Sequence, residues 1–446
     1  MSHITEGPAA AAIVRLAAPM LVGAILQNIQ SLIDLFWVGR LGPSAVAAVA
    51  MSGTILMVLF PMLMGLSTGT VALVARAVGG RHPDEASEAA GQSLMLALVL
   101  GTISGVLGWF YADKLFSVLG AGADVIGDGK GYLQISLLGS FTVFILFIGN
   151  AALQGSGDTL SPMIVMGISN LLNIVLDPLF IFGLGPFPAM GVRGAAIATV
   201  IAQAIAALVS LFILFSGRSH LHVRLHHGIP NPVLSWRILR IGLPGSGQMV
   251  SRSLMSAVMM RIVASCGTTA VAAYGIGMRF HMILLMPAFA LGGAAATMVG
   301  QNLGAGKPDR ARHAAWVATA LDAAVMVLAA VVIFPLAPAL IGVFNDHADV
   351  VAIGAHYLRV VSPFYLFAAL GIVLGRALNG AGDSMGPMLI TVVTLWGLQV
   401  PLAVYFSRLW QPATEGIWWA MVVAFVVQGV LTTLWFETGR WMKKKV

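Results

Sequence analysis

Twelve runs of about 20 or more mostly apolar residues follow one another along the chain, and they restrict its fold more than any other feature. A membrane-spanning helix needs about 20 such residues, because each rises about 1.5 Å through a hydrocarbon core about 30 Å thick. The backbone of such a run must satisfy its own hydrogen bonds, which favours helices. We therefore predict an all-α integral membrane protein with twelve transmembrane helices. The runs cover residues 14–38, 45–72, 90–111, 131–153, 161–183, 194–216, 239–264, 270–298, 314–337, 353–377, 386–406 and 416–436.

The composition excludes several other classes of protein. Hydrophobic residues make up 59% of the 446 residues and charged residues only 9%, whereas a soluble domain carries about 25% charged residues. The charge is too sparse to cover a soluble surface, and the basic residues lie in short segments between apolar runs. This pattern excludes a cytosolic enzyme and a nucleic-acid partner. Cys266 is the only cysteine, so no disulfide framework and no cysteine-based metal site is predicted.

Lysine and arginine between the runs predict the orientation. With the N-terminus in the cytoplasm, fifteen of these residues lie in inside segments and five in outside loops. The inside group includes Arg376 and the basic tail of Lys443, Lys444 and Lys445. Cytoplasmic loops are enriched in Lys and Arg, so both termini are predicted to lie in the cytoplasm, with the chain in a bacterial-type inner membrane.

The two halves of the chain resemble each other at one constant offset, which places Pro19 on Pro244. At this repeat offset, residues 152–163 match residues 377–388 at seven of twelve positions. Each half holds six runs, an even number, so the halves should share one topology. We predict two six-helix lobes, 1–216 and 239–446, related by a pseudo-two-fold axis along the membrane normal. Two such bundles can rock about a central cavity.

The segment 217–238 is predicted to be a cytoplasmic linker between the lobes. It is basic and contains four histidines, at positions 220, 222, 226 and 227. The histidine spacing leaves open a role in metal sensing. The enrichment of basic residues in cytoplasmic loops explains the same segment without one.

Four polar residues inside or near the ends of the apolar runs form the candidate coupling site. Asp34, Asp177 and Thr199 each lie about five or six residues from the outer end of a run, and therefore at a similar depth, roughly 7–9 Å below the outer surface. Asn173 precedes Asp177 by four residues, on the same helix face. Ionisable groups inside a membrane are costly and are functional candidates by default. The alternative is that the acids pair with arginines or cap broken helices.

The chemistry of this set suits a cation. Two carboxylates, an amide oxygen and a hydroxyl are ligands that hard cations such as Na⁺ prefer. The same set can hold a proton, because burial and a second acid nearby both favour the protonated form of a carboxyl group. Pro178 follows Asp177 directly, and Pro19 precedes Asp34 in the first run. Each proline removes a backbone hydrogen bond and permits a helix to bend.

The motifs around these residues resemble the multidrug and toxic compound extrusion (MATE) family, in the superfamily of multidrug, oligosaccharide-lipid and polysaccharide exporters. The resemblance rests on Pro19, Gln27 and Asp34 followed by VGRLG, on VARAVGG after the second run, on NLLNIVLDP and on GAAIAT. It implies two six-helix lobes, outward extrusion of drugs, and coupling to inward Na⁺ or H⁺. By this resemblance, Asp34, Asn173, Asp177 and Thr199 match the cation site of the first lobe. The bend at Pro19 is similar to one proposed to move with protonation.

The second half departs from part of that family. Members with a second-lobe cation site carry a Glu in the seventh helix, near which Arg252 aligns here, and Leu402 stands where the first half has Asp177. The predicted cavity is therefore acidic on one wall and basic on the other. The candidate substrate residues are Gln27, Arg252, Met255, Met278 and Asp322. Asp322 could instead pair with an arginine of the second half, and the methionines could be ordinary core residues.

Three functions compete on these observations. The favoured one is a cation-coupled exporter of amphiphilic organic compounds, working as a monomer among membrane lipids without a resident cofactor. The second is a flippase for lipid-linked oligosaccharides or other lipids of the same superfamily. An integral-membrane enzyme has little support, because the sequence contains no nucleophile-and-base spacing and no metal motif. No GxxxxGK[ST] loop occurs either, so ATP is not the expected energy source.

Overall fold

Helices are the regular secondary structure in the part of the chain that the computed structural model describes, residues 2–120 and 122–444. Lys445 of the predicted basic tail lies outside these residues. The first half contains α1 (Ser2–Thr5), α2 (Ala9–Gly39), α3 (Pro43–Leu56), α4 (Leu59–Gly79), α5 (Pro83–Val118), α6 (Ala123–Leu138), α7 (Ser140–Ser156), α8 (Leu160–Phe182) and α9 (Val192–Phe215). The second half contains α10 (Pro232–Ala264), α11 (Thr268–Gly304), α12 (Pro308–Gly342), α13 (Ala348–Val361), α14 (Tyr365–Gly380), α15 (Met385–Val392), α16 (Val400–Leu409) and α17 (Ala413–Glu437). A π-helical segment, Val393–Gln399, joins α15 to α16.

These helices supply the twelve predicted membrane crossings. In the described residues, ten helical segments are long and apolar enough to span a membrane, and a pair bent by 44° near Gly139 makes an eleventh. The twelfth is α10, which has 33 residues. Its arginines at positions 237, 240, 252 and 261 make it less apolar than the others. The prediction of an all-α, twelve-helix membrane protein is confirmed.

Side-chain exposure agrees with a membrane environment. Large apolar side chains lie on the outside of the helices, such as Leu32 (67% exposed), Phe110 (74%) and Leu328 (66%). A soluble domain rarely leaves an apolar surface of this extent open to water. These faces therefore belong against lipid.

The internal repeat is visible in the backbone. Gly42 and Gly267, which are equivalent at the repeat offset, precede α3 and α11 with φ angles of 114° and 105°. Gly157 and Gly382 are equivalent in the same way and have φ angles of 92° and 86°. Only glycine adopts such angles without a steric penalty. The matching turns indicate that both halves fold by one local pattern.

Two compact units make up the chain, and their bounds differ from those of the predicted lobes. One unit is Ala18–Leu243, and the other comprises the chain up to Ala17 together with the chain from Pro244 onward. We call them the acidic unit and the basic unit, after the side chains described below. Both boundaries lie within helices, α2 and α10, next to Pro19 and at Pro244.

Packing explains these bounds. The start of α2 buries Ile13 and Leu16 in a core shared with Ala294 and Ala311 of α11 and α12, all within the basic unit. The start of α10 packs on α4 within the acidic unit, where a Cβ on Gly242 would lie 2.7 Å from the carbonyl oxygen of Gly65. The segment predicted as a linker belongs to the acidic unit as well, because it lies against α5.

Candidate functional site

The two acids predicted from the sequence meet within the acidic unit. Asp34 lies on α2, and Asp177 lies on α8 with no exposed surface. Their carboxyl groups lie close enough to interact directly. A hydrogen bond between them requires a proton on one of the two groups, because two carboxylates carry only acceptors. The pair therefore needs a proton or another cation between its oxygens.

Asn173 connects this pair to a third helix. Its amide nitrogen donates to Oδ1 of Asp177 at 3.2 Å and to the hydroxyl of Thr199 on α9 at 3.2 Å. The Thr199 hydroxyl donates in turn to the carbonyl oxygen of Ala195 at 3.0 Å. The structure thus brings all four residues of the predicted coupling site together, from three helices.

Three oxygen atoms at this site are buried and have no hydrogen-bond partner. They are Oδ1 of Asp34, Oδ1 of Asn173 and Oδ2 of Asp177. Leaving a buried polar group unsatisfied costs about 1–3 kcal/mol, and more for a charged one. A set of oxygen acceptors without donors is a suitable environment for a cation or a proton.

Two residues that sequence reasoning missed support the site. Tyr132 on α6 is close enough for the charges of Asp34 and Asp177 to act on its hydroxyl. Asn170 on α8 donates to the carbonyl oxygen of Leu26 on α2 at 2.6 Å, which ties the two helices together. The spacing of Asn170 and Asn173 could have revealed the first of these amides, because residues three apart share a helix face.

Both predicted bending positions lie inside continuous helices. Pro178 follows Asp177 in α8, and Pro19 lies in α2. Proline cannot donate to the carbonyl four residues earlier, so each helix lacks one backbone hydrogen bond at that point. One weakened point is therefore adjacent to the acid pair, and the other lies two residues after Ala17, where the unit boundary falls.

The predicted substrate residues are found in different surroundings. Gln27 is exposed on α2. Met255 is 4% exposed in the apolar core of the basic unit, and Met278 packs against that core. The Tyr357 hydroxyl lies 3.6 Å from the sulfur of Met278. These positions favour a packing role for both methionines.

Asp322 is fully buried on α12, and neither of its carboxyl oxygens has a hydrogen-bond partner. Within the described ranges it forms no ion pair, so pairing with an arginine does not explain it.

Arg252 has a second arginine as its charged neighbour. The half-buried Arg252 on α10 makes no hydrogen bond or ion pair to any described residue, and the charge that acts on it is that of Arg376 on α14. Arg376 was predicted to be an inside-segment charge, at the inner end of its run. Its side chain is half-buried within the basic unit, with the guanidinium carbon 5.4 Å from the ring centre of Phe289. The α14 helix continues to Gly380 and carries Arg376 in this interior position.

A buried glutamine of α5 binds the linker at several points. The Gln92 amide nitrogen donates to the carbonyl oxygens of His227 at 2.8 Å and Ile229 at 2.5 Å, and its oxygen accepts from the backbone of Asn231 at 3.0 Å. Burial, and then the charge of His226, lower the pKa of His227. The described residues contain no group of three or more His, Cys, Asp or Glu that could hold a metal ion.

Comparisons with known proteins agree with the fold and with its internal repeat. The model of the MatE family matches residues 19–179 and again residues 244–405, so the two matches begin at the equivalent prolines of the repeat. The chain is 29% identical over 437 residues to the probable multidrug resistance protein NorM of Thermotoga maritima, covering 97% of this chain and 93% of that protein. It is 28% identical over 431 residues to the FAD transporter of Shewanella oneidensis, covering 96% and 94% of the two chains.

A solved structure is similar to this chain over nearly its whole length. An outward-facing multidrug resistance MATE family transporter of the MOP superfamily matches with a TM-score of 0.90 and 27% identity, over 99% of this chain and 98% of that one. The fold and these matches define a multi-pass membrane transporter. The chain belongs to the multidrug and toxic compound extrusion family, as its motifs predict.

Proposed function

We propose that this chain is a secondary active exporter, which moves amphiphilic organic compounds outward in exchange for inward-moving H⁺ or Na⁺. The single observation that carries the coupling is the set of three unpartnered, buried oxygens of Asp34, Asn173 and Asp177. The multidrug resistance proteins among its relatives support drugs as one class of substrate. The FAD transporter supports a range that includes anionic organic compounds.

The acid pair can change its charge when its occupant changes. A proton shared by Asp34 and Asp177 leaves one negative charge, and loss of that proton leaves two charges in contact. Sodium can replace the proton, with the carboxylates, the Asn173 oxygen and the Thr199 hydroxyl as its oxygen ligands. Asn173 keeps Asp177 oriented in either case, because it also donates to Thr199 on the next helix.

Charge at the pair acts on helices that can bend. Repulsion between Asp34 on α2 and Asp177 on α8 pushes the two helices apart at the height of the site. Pro178 and Pro19 lower the resistance of α8 and α2 to bending, because each proline removes one hydrogen bond. Occupancy by a cation relieves the repulsion and so favours a second helix arrangement, from which the substrate is released outward.

The membrane supplies the free energy for this exchange. Each elementary charge that crosses the membrane potential is worth about 2.3 kcal/mol per 100 mV. One or two ions per cycle therefore support outward accumulation of substrate. We place the protein in a bacterial-type cytoplasmic membrane with both termini inside, acting as a monomer among lipids. Its proposed activity is transport rather than catalysis, and it works without a resident cofactor.

Dye efflux from proteoliposomes tests this proposal. The purified chain is reconstituted, and efflux of a cationic dye is driven by a pH gradient and by a Na⁺ gradient in separate experiments. Asp34→Asn and Asp177→Asn should each reduce driven efflux by about a hundredfold or more, because the amide cannot exchange a charge. The gradient that drives efflux in the native chain identifies the ion.

Asp113→Asn is the matched control in the same unit, because Asp113 forms an exposed ion pair with Lys130 at 2.6 Å. It should retain native efflux. Native rates in Asp34→Asn or Asp177→Asn, with normal membrane insertion, would remove the coupling mechanism.

Lipid flipping is the second candidate function, and the half-buried Arg252 and Arg376 favour it, since arginine suits a phosphate-bearing headgroup. The same proteoliposomes distinguish the two. A flippase should move a fluorescent lipid between leaflets at rates that exceed those of empty vesicles, and should leave the dye inside.

A further inference from the structure

We infer that the basic unit binds a phosphate group between the side chains of Arg252 and Arg376. This inference rests on the proposed export function for its biological meaning, since it names a chemical class of substrate. The binding itself lies wholly within one unit and can be measured without transport.

Two arginines whose charges act on each other need a compensating negative charge. The charge that acts on Arg252 is that of Arg376, and the charge that acts on the buried His281 is that of Arg252. A charged group inside a membrane is costly, and a like charge nearby raises that cost. Charged groups in such positions are functional candidates by default.

The acids of the same unit do not provide this counter-charge. Asp322 has no partner for either carboxyl oxygen. Asp383 pairs with Lys444 at 2.8 Å, and Glu437 pairs with Arg312. Among the described residues, Arg252 and Arg376 therefore stand without an acidic partner, and a bound anion would supply the counter-charge.

Polar donors from neighbouring helical segments lie beside Arg252. The Trp396 indole, in the π-helical segment, donates at 2.8 Å to the hydroxyl of Ser251, the residue before Arg252. One turn earlier on α10, Gln248 donates to the Thr391 hydroxyl at 3.0 Å, and Gln428 on α17 donates to the same hydroxyl at 3.3 Å. Insertions that make π-helical turns are frequent at functional sites. Polar side chains from three further helical segments thus lie near this part of α10.

Arg376 is held in position for binding. Its aliphatic stem lies against Gly292, where a Cβ would come within 2.9 Å of Cδ. Its NH1 nitrogen donates to the carbonyl oxygen of Phe289 at 3.4 Å. These contacts use one of its five donors and leave the others free for an anion.

A phosphate group fits this arrangement better than a carboxylate. Guanidinium groups bind phosphate through two parallel hydrogen bonds. A phosphate monoester carries about 1.5 to 2 negative charges at pH 7, which balances two arginines, whereas a carboxylate carries one. The phosphate can belong to a lipid headgroup or to a soluble organic phosphate, and the competition step below distinguishes them.

Equilibrium binding to the purified full-length chain tests the inference. The protein in a non-ionic detergent is titrated with dodecyl phosphate at constant pH and Na⁺ concentration, and dissociation constants are measured by microscale thermophoresis. Arg252→Gln and Arg376→Gln should each weaken binding by about tenfold or more, because each removes charge-assisted hydrogen bonds. Arg252→Lys, which keeps the charge but loses the paired geometry, should weaken binding by a smaller factor.

Arg261→Gln is the matched control, because Arg261 is an exposed arginine on the same helix. It should bind dodecyl phosphate within about twofold of the native chain, as should Asp34→Asn. Retention by Asp34→Asn separates this inference from the coupling proposal, since that variant fails only in driven efflux. Native affinity in both Gln variants, or an equal loss in Arg261→Gln, overturns the inference.

Competition identifies the source of the phosphate. Displacement of dodecyl phosphate by dioctanoyl phosphatidic acid supports a lipid headgroup, and displacement by α-naphthyl phosphate supports a soluble phosphate ester. Displacement by neither overturns the inference. Thermal unfolding of each variant, measured in the same samples, identifies loss of binding that follows from loss of fold.

Discussion

The two units carry opposite charges on a repeated scaffold. In the acidic unit, Asp34 and Asp177 contact each other. The equivalent positions of the second half hold Met259, which is 1% exposed in an apolar core, and Leu402, which packs against that core. The acid pair of one half is therefore replaced in the other by ordinary packing residues.

The basic unit shows the opposite change, because it has charged residues where the first half has uncharged ones. Arg252 is equivalent, at the repeat offset, to Gln27, an uncharged side chain. Arg376 is equivalent to Ala151, which is 3% exposed. The repeat has thus preserved helices and turns while changing the few side chains that carry charge. The fold depends on many apolar positions and the chemistry on few, so the halves can keep one fold with different chemistry.

Among changes to the basic unit, the largest effect should come from replacing Arg252. Arg252→Gln gives the basic unit the side chain that Gln27 provides in the acidic unit. Efflux of an anionic dye should fall by about tenfold, because the site loses a charged hydrogen-bond donor. Efflux of a cationic dye should stay within about twofold. Initial rates in proteoliposomes under one imposed gradient measure both.

A control variant tests whether the effect depends on the position of the lost charge. Arg261→Gln removes the same charge from an exposed position on α10 and should leave both dyes unaffected. Equal losses for the two dyes in Arg252→Gln would mean that the arginine supports the fold rather than selecting anions.

The acid pair could be predicted from sequence because membrane helices make polar residues conspicuous. Asp34 and Asp177 interrupt long apolar runs, and their distances from the run ends place them at one depth. The one-turn spacing of Asn173 and Asp177 places the amide beside the acid. The structure brings these groups together as expected, and their role in coupling stays a prediction.

Other features could not be predicted, because they depend on contacts between distant segments. Arg376 lies near the end of an apolar run, where arginine usually belongs to the cytoplasmic side. Only the extension of α14 and its packing against Gly292 place its side chain in the interior. Tyr132 has the position of an ordinary interfacial aromatic residue, and its proximity to the acids follows from how α6 packs.

A smaller effect concerns the segments that follow the last helix of each half, which are the linker in the acidic unit and the C-terminal tail in the basic unit. The linker of the acidic unit contains the buried His227, whose carbonyl oxygen accepts a hydrogen bond from Gln92 and whose Nδ1 accepts one from the backbone of Arg224 at 3.1 Å. The basic unit fastens its tail through Lys444 and Asp383, without a histidine. Because burial lowers the pKa of His227, the docked linker binds fewer protons than the released one. Docking is therefore most stable above about pH 6.5 and weakens as the pH falls.

Hydrogen exchange of the linker amides measures this effect. After correction for the intrinsic rates, exchange in residues 221–229 should be several-fold faster at pH 5.5 than at pH 7.5, while the contacts of the tail change little. His227→Gln should remove the pH dependence, and His220→Gln, at an exposed position, should retain it. A pH dependence that survives in His227→Gln would assign it to another group.

The smallest effect concerns a turn where the halves differ in residue but agree in backbone. Arg81 has φ of 61°, and Gly306, its equivalent in the second half, has φ of 71°. A side chain at such an angle is strained by about 1–2 kcal/mol, while glycine loses about 0.5–1 kcal/mol more on ordering. Arg81→Gly should therefore stabilise the protein by less than about 1 kcal/mol, and Gly306→Ala should destabilise it by a similar amount. No atom lies within 4 Å of a Cβ at Gly306, so steric overlap does not add to the cost of Gly306→Ala. Opposite shifts of the thermal midpoint in the two variants would assign the difference to backbone strain. Shifts of the same sign would show that the two turns are not equivalent, and the repeat would then hold for the helices but not for this connection.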